Sequence, residues 1–357
     1  MYVGQRGDRL GDIPAQDKNI DASYMVRAGK FRRYHGEGLK QLLDIPTMLK
    51  NIRDAFYVLI GIWQCFWLLG KLGPDAVFIK GGFVGVPVGI AAALRRIPYI
   101  THDSDALPGL ANRIVAPWAK LHTVALPKGV YSYPAAKTET VGVPIAKEYH
   151  RFTKREIVEA RKQLALPVDA KVVFVTGGGL GAQHVNEGVA ACVPALLRRY
   201  PDVVVVQLAG RKHEATLRQQ YIKELSAQDQ RRVVVKGFIS NLYLYSGAAD
   251  VIITRAGATA IAEFAAQAKA CIIVPSPFLA GGHQLKNAKV LADRKAARMV
   301  NDDDLAHDPH VLMAPLTNLL DDATLREQLG RNLATLAQSD AAKRLAMLLL
   351  EVATAAT

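Results

Sequence analysis

The segment Arg255-Ala256-Gly257-Ala258-Thr259-Ala260-Ile261-Ala262-Glu263 follows a strand-like run at 250–254 and combines two kinds of chemistry. Small residues at a strand-to-helix turn expose bare backbone N–H groups at the helix start, where the helix dipole favours a pyrophosphate. Glu263 falls one to two turns inside that helix, within reach of ribose hydroxyls. The segment therefore reads as a nucleotide-sugar clamp. Near it in the chain, His283-Gln284-Leu285-Lys286-Asn287 opens another helix with polar amides, which suit a hydroxyl-rich ligand.

A second group of chemical residues, His102-Asp103-Ser104-Asp105, stands at the C-terminal end of an expected strand, ahead of Pro108-Gly109 and a helix. Ligands bind at such strand ends in open α/β sheets, and an imidazole with two carboxylates offers general-base chemistry. The competing structural reading makes one Asp the cap of the helix near Pro108, and the two roles can fall to different carboxylates.

Two glycine loops complete the set. Lys80-Gly81-Gly82-Phe83-Val84-Gly85-Val86-Pro87 follows the expected strand 76–79, so a phosphate or sugar could rest on its turn, although tight helix-on-strand packing explains it equally well. Thr176-Gly177-Gly178-Gly179-Leu180-Gly181-Ala182 also fits the spacing of a dinucleotide fingerprint, which raises an oxidoreductase reading. That reading needs an acid at the end of the next strand for the adenosine ribose, and the run at 203–206 ends instead in Gln207-Leu208-Ala209.

These motifs need elements to hold them, and the chain supplies an alternation of short β-branched runs with Ala/Leu-rich amphipathic stretches, the pattern of parallel β-α units. Strands are expected at 2–4, 76–79, 99–102 and 123–126, then at 172–176, 203–208, 233–238, 251–254, 271–275 and 298–300. Closing helices are expected at 309–320 and 323–350. A Pro-containing strand end and a charged stretch place the domain boundary after residue 147. The expected architecture is α/β: two doubly wound Rossmann-like domains facing across a cleft, at 1–147 and 148–340, with a closing C-terminal helix at 341–357. The opening Tyr2-Val3-Gly4-Gln5-Arg6-Gly7 reads like a second strand and its loop, so the first β-α unit of the N-terminal domain is expected to be missing.

At 357 residues, 50% hydrophobic and 22% charged, the chain suits two globular domains. Its three cysteines sit singly in apolar stretches, against a zinc site or a disulfide framework. The net charge of +13 calls for an anionic partner. Nucleic acid is excluded as the reading of choice, because no recognition-helix or aromatic-interleaved basic strand is present. A membrane face suits the pattern better: seven basic residues against two acids between 27 and 53 precede the apolar run 55–69. That run holds 15 residues, short of the roughly 20 needed to cross hydrocarbon, so a peripheral patch or a buried core helix is expected.

Taken in order, the motifs resemble the MurG-type glycosyltransferases, which move GlcNAc from UDP-GlcNAc to an undecaprenyl-pyrophosphoryl-MurNAc-pentapeptide acceptor to make lipid II. The resemblance covers nearly the whole chain: Gly81-Gly82-Phe83, His102 to Asp105 with Asn112, the second glycine loop with Asn186, Phe238-Ile239, the Glu263 segment, and His283 onward. It implies a GT-B fold. It also implies that Phe238 and Ile239 border the uracil and that Ala258, Thr259 and Ala260 offer N–H groups to the diphosphate. Glu263 would bind ribose and Gln284 the GlcNAc, with Gly179 and Gly181 lining the donor site and Gly81, Gly82 and Asn112 on the acceptor side. His102, Asp103 and Asp105 are the catalytic candidates. The implied reaction is an inverting displacement by the MurNAc C4 hydroxyl at the cytoplasmic face of the cell membrane, with no cofactor required and Mg2+ at most a stimulator.

The chain departs from the family pattern in several places. The family's Gly-Gly-Thr-Gly-Gly-His loop has no counterpart, so a gene product about 30 residues longer at its start, one β-α unit, is expected, and the polypeptide as given is expected to be inactive. His102-Asp103-Ser104-Asp105 stands where the family has His-Glu-Gln-Asn, Gly179 where it has Ser, and Ala146 beside Lys147 where it has Arg. The alternatives are a non-catalytic UDP-sugar-binding remnant that needs a partner, and a transferase acting on another lipid such as diacylglycerol.

Overall fold

The computed structural model describes residues 1–7, 17–30, 45–177, 182–277 and 282–355. The chain divides into two compact units, Met1–Val141 with Asp340–Thr357, and Gly142–Ser339. The division falls ahead of the 147/148 boundary read from the sequence, because the Pro144 segment packs with the second unit.

In the first unit, β1 (Tyr2–Gln5) pairs in parallel with β2 (Ser23–Val26), and a separate parallel sheet runs β3 (Val77–Ile79), β4 (Tyr99–Asp103), β5 (Leu121–Val124) and β6 (Thr138–Thr140) in that order. β2 and β6 were not among the expected strands, and β5 begins two residues earlier than expected. Helix α1 (Ile45–Leu72) packs on α2 (Gly85–Leu94), and with α3 (Leu110–Val115) they cover a core of Val26, Cys65, Leu69, Ile79, Val88, Tyr99 and Val115.

α1 corrects the length argument made from the sequence. It runs 28 residues, not the 15 of its most apolar stretch, and so is long and apolar enough by composition to cross a membrane. Its burial is one-sided. Val58, Cys65 and Leu69 are buried, whereas Leu49, Ile52, Phe56, Leu59, Trp63 and Trp67 recur at helical spacing on a face left exposed, Trp63 at 65%.

The second unit is a six-stranded parallel sheet in the order β12-β11-β10-β7-β8-β9. Its strands are β7 (Lys171–Thr176), β8 (Val203–Leu208), β9 (Val233–Lys236), β10 (Val251–Thr254), β11 (Ala270–Ile273) and β12 (Arg298–Met299). The Val- and Ile-rich runs of β7, β8, β10 and β11 are buried on both faces, as central parallel strands require. Helices α4 (Lys154–Gln163), α5 (Gln183–Arg199), α6 (Glu214–Glu224), α7 (Ala227–Gln230) and α8 (Leu242–Ala248) alternate with the first strands. Beyond β10 come α9 (Ala258–Ala266), α10 (His283–Asp293), α11 (Asp302–His307), α12 (Met313–Asp321) and α13 (Ala323–Ala334). Winding reverses between β7 and β10, which makes their carboxyl ends the place for a ligand.

The stretch expected as one helix over 323–350 breaks in two. Leu333 is buried in the second unit, while Leu345 and Leu348 of α14 (Ala341–Thr354) pack against Val141 and Leu121 of the first. Arg344 Nε donates to Glu139 at 2.7 Å and fixes that return. One straight helix cannot serve both cores.

Candidate functional site

At the switch point of the second unit, β10 delivers Arg255, Ala256 and Gly257 to the start of α9. Gly257 is the N-cap residue in an extended conformation, and no side chain caps the helix. Among the described residues, a Cβ placed on Gly257 would meet nothing within 4 Å, beside the first-turn N–H groups of Ala258, Thr259 and Ala260. Thr259 and Ala260 lie four and three residues before Glu263, which puts the carboxylate on the same helix face as the exposed amides.

The loop is held from behind. Asn287 Nδ2 of α10 donates to the Ala256 carbonyl at 2.9 Å. Arg255 donates to the Val274 carbonyl at 3.2 Å and pairs with buried Asp302, whose other oxygen faces His184 Nδ1 at 2.9 Å. Gln284 is buried and its Oε1 accepts from Ser276 N at 2.9 Å, so it ties α10 to the end of β11. Gly179 and Gly181, along with most of their loop, lie outside the described residues.

Phe238 follows β9 with its ring 63% exposed, and Ile239 beside it is partly buried. The Arg211 guanidinium stands 4.5 Å from the Phe238 ring centroid, an arrangement the sequence did not suggest. A Cβ at Gly237 would lie 2.3 Å from Glu214 Oε2, so this platform packs closely on the start of α6. The only available signal was an Arg one strand end away from the Phe.

Glu263 is half-buried, and burial raises its carboxyl pKa to about 7, with the influence of Tyr149 working in the opposite direction. Tyr149 was likewise not singled out from the sequence. At the end of β8, where a dinucleotide site would want an acid, Gln207 is fully buried, donates to Asn186 Oδ1 at 3.2 Å and accepts from Tyr221 at 2.6 Å. A wholly engaged amide fills the place of the ribose-binding carboxylate, which ends the oxidoreductase reading.

In the first unit, Gly81 and Gly82 both take positive φ, at 104° and 77°, a turn that favours glycine. A Cβ on Gly81 would come 3.6 Å from Asn112 Nδ2, so the structure brings these two acceptor-side candidates together. Asn112 donates to the His102 carbonyl and to Asp103 Oδ1, both at 2.9 Å. Asp103 also accepts from Gly109 N at 2.9 Å and from the Tyr133 hydroxyl at 2.8 Å. Burial raises its carboxyl above the ordinary range against the pull of these donors. Asp103 thus anchors the start of α3, the structural role weighed for one of the two carboxylates.

His102 is completely buried, with Nδ1 3.1 Å from Thr123 Oγ1. Burial, helped by the charge of Lys80, pushes its pKa down to about 4, so the ring is neutral at neutral pH. Asp105 is only half-buried and is the carboxylate of this group that solvent reaches.

The glycosyltransferase family 28 N-terminal domain matches residues 17–123, and the family 28 C-terminal domain matches residues 172–345. A UDP-N-acetylglucosamine--N-acetylmuramyl-(pentapeptide) pyrophosphoryl-undecaprenol N-acetylglucosamine transferase of Natranaerobius thermophilus is 31% identical over 307 residues, 85% of this chain and 78% of that relative. The chain belongs to this transferase family. The transferase of the same name from Lachnoclostridium phytofermentans is 34% identical over 293 residues, 79% of this chain and 73% of its own length.

Among solved structures, MurG of Acinetobacter baumannii superposes with a TM-score of 0.74 at 24% identity, covering 98% of this chain and 90% of that one. A Neisseria meningitidis UDP-GlcNAc 2-epimerase bound to UDP-GlcNAc gives 0.60 at 14% identity, covering 98% of each chain. The family 28 transferase described here has the two-domain GT-B fold that the motif order implied.

Proposed function

We propose that this family 28 transferase moves GlcNAc from UDP-GlcNAc to the C4 hydroxyl of MurNAc in undecaprenyl-pyrophosphoryl-MurNAc-pentapeptide, with inversion at the anomeric carbon. The observation that carries the reading is the uncapped, exposed start of α9 with Glu263 on the same face. The N–H groups of Ala258, Thr259 and Ala260 receive the diphosphate, and the helix dipole takes up the negative charge that grows on UDP as the sugar–phosphate bond breaks. No divalent ion is required in this scheme, and Mg2+ can add only stimulation. Glu263 accepts from the ribose hydroxyls, Phe238 and Ile239 flank the uracil, and the α10 start with Gln284 faces the sugar.

The acceptor oxygen forms the new bond to C1 as the bond to the diphosphate breaks, and its proton passes to a base. Asp105 is our choice for that base, since Asp103 is committed to α3 and neutral His102 is a weak acceptor at its lowered pKa. Gly81, Gly82 and Asn112 serve the acceptor side. The exposed apolar stripe of α1, with Lys50 and Arg53 on the same helix, lies on the cytoplasmic face of the membrane as a peripheral anchor beside the lipid acceptor.

Calorimetric titration of the purified chain with UDP tests the donor half. Binding is expected, with about a tenfold or greater loss in Glu263→Ala, and no heat and no thermal shift would remove the assignment. For the acceptor half, UDP release with a lipid-pyrophosphoryl-MurNAc acceptor is expected from the chain carrying the further β-α unit at its start that the family pattern calls for. Release with diacylglycerol instead would overturn the acceptor, and UDP binding with turnover of neither would leave a sugar-nucleotide-binding protein.

A further inference from the structure

α5 and α11 meet along a seam that lies outside every motif used above. His184, Gly188 and Cys192 recur at four-residue spacing and so share one face of α5. Leu305 of α11 fills the space over Gly188, where an added Cβ would lie 2.6 Å from Leu305 Cδ1. One turn further along α5, Cys192 Sγ donates to the Pro309 carbonyl at 3.2 Å. One turn earlier, His184 Nδ1 meets Asp302 Oδ2 at 2.9 Å. Because Gly188 lets the two helices close up, the imidazole reaches a carboxylate that is only 1% exposed.

That carboxylate has a second partner. Its other oxygen pairs with Arg255 Nη1, and the Arg255 side chain is itself largely buried. Arg255 opens the turn into α9, and three successive residues there are fastened. The Thr254 carbonyl accepts from Val274 N at 2.8 Å, the Arg255 guanidinium donates to the Val274 carbonyl at 3.2 Å, and the Ala256 carbonyl accepts from Asn287 at 2.9 Å. A path of side-chain contacts therefore leads from His184 through Asp302 and Arg255 into the turn that presents the α9 amides, all within the second unit.

We propose that His184 is a positioning residue for donor binding: its Nδ1–H holds one oxygen of buried Asp302, keeps the other on the Arg255 guanidinium, and thereby fixes the turn that offers the Ala258, Thr259 and Ala260 amides. This rests on the donor reading proposed above. A guanidinium carries only donors and the carboxylate that serves it only accepts, so the imidazole must be the donor at this contact. The tautomer with its proton on Nδ1 is thereby selected, and Nε2 of the neutral ring is left as the acceptor.

Burial makes the imidazole matter. A carboxylate oxygen inside the protein has lost its water, and without a donor it is left uncompensated beside an ion pair that depends on it. Lacking His184, the Asp302 carboxylate turns to find another donor and Arg255 follows it. Amides that must converge on a diphosphate bind it more weakly once their turn is no longer fixed in advance. A bolt that merely joined α5 to α11 would show in stability and leave UDP affinity untouched.

Calorimetric titration with UDP, alongside urea unfolding, tests this in the full chain and in His184→Asn, His184→Gln and Glu263→Ala. An Asn amide places its N–H where Nδ1 stands, whereas Gln places its own where Nε2 stands. His184→Asn is expected to bind UDP within about twofold of the wild type, and His184→Gln about three- to tenfold more weakly. NMR of the wild-type ring nitrogens, with the His184 signals assigned by their loss in His184→Asn, is expected to place the proton of the neutral ring on Nδ1. If Glu263→Ala weakens UDP binding while His184→Gln matches the wild type, or His184→Asn falls as far as His184→Gln, the positioning role is wrong and the donor reading stands. Should His184→Gln fail to fold, the ring nitrogens decide, and a proton on Nε2 overturns the proposal. If the wild-type chain does not bind UDP, or Glu263→Ala binds it unchanged, the donor reading fails and takes this inference with it.

Discussion

Asn287 holds the carbonyl of Ala256 at 2.9 Å, so the turn that presents the α9 amides is fastened by a side chain from the next β-α unit. Asn287 is buried. Replacing it with Leu strands a buried carbonyl, at a cost of about 1–3 kcal/mol. Urea unfolding of Asn287→Leu is expected to show that loss together with weaker UDP binding. Unchanged UDP affinity in a folded variant would detach this bond from donor binding.

Phe238 and Arg211 make the second prediction. A ring exposed on one side and covered by a guanidinium at 4.5 Å offers its open face to a nucleobase. Phe238→Ala is expected to weaken UDP binding by about 1–1.5 kcal/mol, and Arg211→Ala by about half as much. Ribose 5-phosphate, which lacks the base, is the control and should bind both variants like the wild type. Equal loss for both ligands would place the effect outside base stacking.

The two buried histidines of β4 and β5 predict acid sensitivity of the first unit. His122, 2.8 Å from Thr101 Oγ1 and stacked on Tyr133, is, like His102, pushed down to about 4 by burial. A folded-state pKa below the unfolded value of about 6.5 means that the unfolded chain binds more protons between those limits. Stability from this source is therefore complete above pH 6.5 and is lost as pH falls toward 4. All three tryptophans, Trp63, Trp67 and Trp118, sit in the first unit, so their fluorescence reports it selectively. Urea midpoints read by tryptophan should decline over this window, and His122→Gln should blunt the decline. A midpoint independent of pH would show that these rings do not titrate on unfolding.

Membrane attachment is tested on the exposed face of α1. Trp63→Glu removes an aromatic anchor and adds a charge that anionic lipid repels, so partition to vesicles containing phosphatidylglycerol should drop about tenfold or more. The same change leaves the α1 face packed on α2 untouched, and UDP binding should persist. Equal sedimentation of variant and wild type with the vesicles would send the attachment site elsewhere.

The donor half of the molecule was legible because β-branched runs such as Val172-Val173-Phe174-Val175 are buried on both faces and leave little else they could be, while small residues at the α9 start have a backbone job that a sequence displays. What stayed hidden is contact between distant residues. Nothing local tells Arg211 that it will cover Phe238. Strands β2 and β6 were missed, and it is pairing with β1 and β5, a contact no local pattern displays, that fixes their place. Likewise Asp103 and Asp105 look equivalent in the sequence, and only the three donors gathered on Asp103 separate a structural carboxylate from a solvent-facing one.

The return of α14 carries a consequence for biosynthesis. Leu345 and Leu348 leave the ribosome long after the patch of Val141 and Leu121 that they cover. The middle of the polypeptide can thus acquire its native form during translation while the opening portion waits, its seam unsealed, for the tail. A nascent chain halted before residue 340 should leave that seam bare to chaperones.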